Sequence, residues 1–100
     1  MMNQQGDVLM FRVEEIPKGA KKLNHCVLME GELTGHAHRV SEGIAYLFEH
    51  GSTKYLQVVS EKAVVTHEEH HAQTLDKGIY KIGQVKEYDH FLEESRFVAD

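Results

Sequence analysis

The residues with the most chemistry to offer lie in two short windows, Thr34-Gly35-His36-Ala37-His38-Arg39-Val40 and His67-Glu68-Glu69-His70-His71. Five of the eight histidines fall there, beside groups that can orient or pair with an imidazole. If the first window is a strand, period-two alternation sets His36 and His38 on one face with Thr34 and Val40, while Gly35, Ala37 and Arg39 face the other way. Two imidazoles side by side can share one cation. Gly35 and Ala37 are small enough to let another segment approach closely. In an extended chain His67, Glu69 and His71 align, whereas in a helical turn His67 meets His70 and His71; either geometry keeps two histidines together. The expected ligand set is therefore His36 and His38 with one or two of His67, His70 and His71. Glu68 or Glu69 would accept an imidazole N–H or act as general base toward metal-bound water. Such nitrogen-rich ligation suits a divalent Zn, Fe or Mn, and Ni or Cu as well, without choosing among them.

Two readings without metal stand beside this one. Histidines next to glutamates at an exposed strand end can be solvated and titrate ordinarily. Alternatively, His36 and His38 could serve as acid and base while Arg39 or a lysine holds an anionic group, the arrangement of a metal-independent phosphodiesterase. On a regular strand Arg39 faces away from the histidines, which counts against that version.

The rest of the chain must position these groups. With 100 residues, 41% of them apolar and 27% charged, it is expected to form one β-rich domain over 1–100 with a single core. A net charge of −5, from 16 acidic and 11 basic residues, argues against binding a nucleic-acid backbone, which needs a basic stripe. The lone Cys26 excludes an intrachain disulfide and a site of several thiolates. Met1 to Asp7 has no charged segment followed by an apolar stretch of signal-peptide length, and no apolar run approaches the ~18 to 20 residues of a membrane span, so a cytoplasmic protein is expected.

Asp7 to Val13 reads as a strand, followed by a turn or loop at Ile16 to Lys22 that holds the only proline. Asn24 to Glu30 is a second strand, its continuous apolar centre suggesting cover on both faces, with Cys26 as a small core residue. Ile44 to Phe48 and Lys54 to Val59, separated by Glu49-His50-Gly51-Ser52-Thr53, have the pattern of a hairpin. Lys62 to Thr66 forms another strand leading into His67. Thr74 to Gly78 is a turn signal, and Ile79 to Val85 alternates as a half-buried strand would. Asp89 can cap about two helical turns over 90–99, which would need to dock or pair with another chain.

Several of these segments resemble a family of small uncharacterised bacterial and phage proteins: Gly31-Glu32-Leu33-Thr34-Gly35-His36-Ala37-His38-Arg39, His67-Glu68-Glu69-His70, Gly78-Ile79-Tyr80 with Glu87-Tyr88-Asp89, and the opening Gln5-Gly6-Asp7-Val8-Leu9. That resemblance supports where the site lies and implies no activity. A shorter pattern, His36, His38 and Glu42, is similar to the first motif of cupins, which implies a β-barrel holding iron, manganese or another divalent metal. The spacing around the cupins' second-motif histidine is not reproduced at His67 to His71.

The expected architecture is a single all-β barrel or sandwich of about seven short strands, cupin-like among the options, with a short C-terminal helix. The expected function is divalent-metal binding, with metal-dependent hydrolysis or cupin-like chemistry as its enzymatic form. The rival is a non-catalytic module, a homo-oligomer or partner-binding domain using its sheet edges and C-terminal helix, with structural or pH-responsive histidines.

Overall fold

Alternating apolar residues and glycine-marked turns produce eight strands, and the computed structural model, which describes residues 2–30 and 35–85, joins them all in one antiparallel sheet. They are β1 (Met2–Gln5), β2 (Val8–Val13), β3 (Lys21–Lys22), β4 (Val27–Glu30), β5 (Ala37–Glu42), β6 (Ala45–His50), β7 (Thr53–Thr66) and β8 (Gln73–Gln84). The order runs β1-β2-β8-β7, and beyond β7 the sheet divides. The first half of β7 pairs with β6, which carries β3; its last residues pair with β5, which carries β4.

The sheet is open. The barrel or sandwich of about seven short strands expected from turn spacing is replaced by eight strands, two of them 14 and 12 residues long. Lys54 to Val59 and Lys62 to Thr66 belong to the same strand, interrupted by a register shift between Val58 and Lys62. Thr74 to Gly78 is likewise part of β8 and not a turn. The physical reason is a bulge: extra residues on one strand bend a hairpin without ending its pairing. Across it the buried positions on β7 change parity, from Leu56 and Val58 to Ala63 and Val65. Both halves thereby face one core, which Met10 from β2, Leu28 from β4 and Leu47 from β6 complete.

The hairpin at Gly51-Ser52 forms as expected, with His50 opposite Thr53. The Asn24 to Glu30 segment is strand only over Val27–Glu30, and its cover is one-sided: Leu28 is buried, Val27 and Met29 half-buried, Glu30 exposed. Such cover fits a strand at the end of its arm. Cys26 is half-buried, its thiol donating to the Ala45 carbonyl at 3.2 Å, and burial pushes its pKa up, which suits an inert packing group. The expected C-terminal helix over 90–99 lies outside the described residues.

Candidate histidine site

Register brings the two histidine windows together. Arg39 pairs with Thr66, so the chain leaving β7 at His67 emerges beside His38 on β5. Glu68 then ties the connection down. One of its oxygens accepts the Ala37 N–H at 2.8 Å and the other lies 3.8 Å from the Arg39 guanidinium. The Ala37 hydrogen bond, with help from Arg39, holds the Glu68 carboxyl below its usual pKa. Glu68 thus serves as a clamp, which leaves Glu69, 3.7 Å from His36 Nδ1, as the freer carboxylate for base chemistry.

The rings meet closely. His38 and His67 stand 4.3 Å apart between centroids, His67 and His70 4.7 Å, His38 and His70 6.1 Å, and His36 meets the edge of His67 at 5.7 Å. Both histidines of the first window therefore reach the second, although Ala37 and His38 are both buried and the strand begins only at Ala37. His71 contributes its carbonyl and leaves its side chain exposed. Glu42, placed in the site by the cupin-like pattern, is exposed at the far end of β5, opposite Val64. Residue spacing matched that motif; an open sheet sends Glu42 elsewhere.

A third segment, invisible in the histidine pattern, completes the site. Gln5, at the end of β1 and 1% exposed, donates its amide N–H groups to the carbonyls of Val65 at 2.8 Å and His71 at 2.9 Å. Those carbonyls only accept, so the amide oxygen must face the other way, toward His38 Nδ1 at 2.9 Å. That oxygen in turn only accepts, which puts the imidazole proton on Nδ1 and the lone pair on Nε2. Nε2 looks toward Asp7, 3.7 Å away. His67 carries the opposite tautomer, because its Nδ1 accepts the Glu69 N–H at 3.0 Å. Gly6, at φ 59°, makes room for His70: a β-carbon there would overlap the ring. The only sequence signal for this segment was its place in the Gln5-Gly6-Asp7 block of the family resemblance.

Burial, followed by the charge that His67 would carry, lowers the pKa of His38, with Asp7 opposing. His38 is 2% exposed and neutral near pH 7. A folded pKa below the reference of 6.5 means that the unfolded chain binds the proton more readily. The contribution of neutral His38 is therefore complete above pH 6.5 and is lost as pH falls toward the folded value. The urea midpoint is expected to drop between pH 7.5 and 5.5, and to drop less in His38→Gln; an equal drop would assign the effect to other groups.

For a metal, the fit is partial. Among the described residues no three His, Cys, Asp or Glu side chains stand gathered to hold an ion. His38 presents a fixed lone pair, whereas His67 would have to give up its bond from Glu69 to offer one.

These features define a small open-sheet protein with a histidine cluster built from three segments, the end of β1 with its turn, the start of β5 and the connection after β7. Over residues 4–85 the chain matches the model of the family described as Domain of unknown function (DUF8820), and it belongs to that family. The matched span contains all three segments of the cluster. No curated protein and no solved structure matches the chain.

Proposed function

We propose that the histidine cluster is a divalent-metal site organised around His38, with Zn, Fe or Mn as candidate ions. The observation that carries this reading is the Gln5 hydrogen bond, which leaves a buried imidazole with its lone pair on Nε2 beside a carboxylate. Metal-ligating histidines characteristically donate their other ring N–H to such a partner. His70, Asp7 and His36 sit on turns or at a strand start, exposed or half-exposed, so they can adjust toward an ion at modest cost. Enzymatic use, a metal-dependent hydrolysis with Glu69 as base, is a further step of the same proposal.

The test is a Co(II) titration and elemental analysis of protein purified without a His-tag. One equivalent of metal is expected, and His38→Ala should weaken binding by more than the roughly 10- to 100-fold typical of losing a supporting residue. Substoichiometric metal, or binding indifferent to that change, would overturn the reading.

A second reading draws support from the close packing of tilted rings at 4.3 and 4.7 Å, which leaves the donors ungathered. In it the protein is a non-catalytic module whose neighbouring imidazoles, on protonation, repel one another and loosen the connection after β7. The pH series above, run with chelator, separates the two. Acid sensitivity unchanged by chelation favours the proton-responsive module.

A further inference from the structure

A cavity of about 410 Å³ lies between β4, the start of β7 and the end of β8. Val27, Leu28 and Ile82 are among its apolar lining residues. Register explains the polar groups beside them. Lys54 pairs with Ile82, and Gln84 lies two residues further along β8, so all three side chains share one face.

Both donors make weak bonds, one long and one to a poor acceptor. The half-buried Lys54 ammonium reaches only the Leu28 carbonyl, at 3.5 Å, and it has no carboxylate within salt-bridge distance among the described residues. The Gln84 amide donates to the thioether of Met29 at 2.9 Å, although thioether sulfur is a weak acceptor. At the rim, His25 accepts the Val27 N–H through Nδ1, which leaves Nε2 as a donor, and Ser52 adds a hydroxyl. Glu30, the one carboxylate in the lining, is exposed. A carboxylate would offer Lys54 and Gln84 charge-assisted bonds in place of the weak ones they make.

We propose that this cavity binds a small amphipathic carboxylate, its head on Lys54 Nζ and Gln84 Nε2 and its apolar body against Val27, Leu28 and Ile82. The volume, at the low end of ligand sites, suits a small molecule rather than a peptide. None of its lining residues belongs to the histidine cluster, although Met29 is paired with His38, so the titration is run on metal-free protein.

The test is an amide NMR titration of the full chain with hexanoate, with hexan-1-ol and inorganic phosphate run in parallel. Hexanoate is expected to shift the Leu28, Lys54, Ile82 and Gly83 amides, while the alcohol and phosphate each bind about tenfold or more weakly. Lys54→Met, which keeps the stem and removes the charge, should weaken hexanoate by a similar factor; a dispersed spectrum confirms that the variant folds. Gln84→Leu provides a second variant with the same expected direction. Equal binding of hexan-1-ol would reduce the cavity to an apolar cleft, and equal binding of phosphate would reduce it to a surface charge. Either result, hexanoate shifts confined to other residues, or retained affinity in both variants would overturn the proposal.

Discussion

Replacing Gln5 with leucine is expected to destabilise the protein by about 3 kcal/mol, although leucine keeps much of the side-chain volume. The change removes three hydrogen bonds together, to Val65, His71 and His38, from a side chain 1% exposed. Each buried group left without a partner costs roughly 1 to 3 kcal/mol, and the His71 carbonyl, which is only partly buried, can recruit water and lower the sum. In a domain of this size that loss is on the order of 15 °C in melting temperature. Urea unfolding checks the value, with the slope expected to stay constant. The same variant frees the His38 ring to exchange tautomers, which nitrogen-15 NMR of the metal-free protein reports, and metal affinity is expected to fall by about 10- to 100-fold. A stability loss below about 1 kcal/mol would mean that water replaces Gln5 at all three partners.

Gly43→Ala is expected to cost more, about 4 kcal/mol, through the backbone alone. Gly43 follows β5 immediately, at φ 92°, where a side chain is disfavoured by about 1 to 3 kcal/mol. A β-carbon would also overlap the Lys62 carbonyl and approach the Ala63 Cα to 2.8 Å. Both belong to β7 just after its bulge. A clash with a flexible side-chain tip relaxes by rotation; one with paired backbone must push β5 away from β7, at roughly 1 to 3 kcal/mol more. Because β5 carries His38, the histidine cluster should loosen with it. Gly19→Ala is the control. Gly19 has φ 87° and nothing within 4 Å of the added carbon, so only the conformational cost applies. Equal losses in the two variants, measured by equilibrium unfolding, would show that the close approach at Gly43 carries no energy.

Much of the site was legible in the residue pattern. The pairing of His36 and His38 with a second cluster at His67 to His71 followed from imidazole-rich windows on strand-like segments, and the structure does set His38, His67 and His70 ring against ring. What escaped was the division of labour. Glu68 and Glu69 are adjacent and alike in sequence, yet only Glu68 meets the Ala37 N–H, because the path of the chain after β7 aims one carboxylate at β5. Gln5 was marked only by its place in the block shared with the resembling family, with nothing to tell its role. A glutamine near the start of a chain has no local chemistry, and its role arises from carbonyls 60 and 66 residues away.

The same boundary runs through the fold. By itself the sequence determined that the chain is β-rich, that a turn within residues 49–53 makes a hairpin, and that most of the histidines fall in two windows. Alternation, turn residues and side-chain type are properties of neighbouring residues. Only the tertiary structure decided that the sheet stays open, that β7 and β8 run through their bulge as single strands, and which nitrogen of His38 holds its proton. Each depends on register between distant segments. Val58 and Lys62 meet β8 on either side of a shift that reverses which residues face the core, and no window short enough to show alternation spans both sides of it.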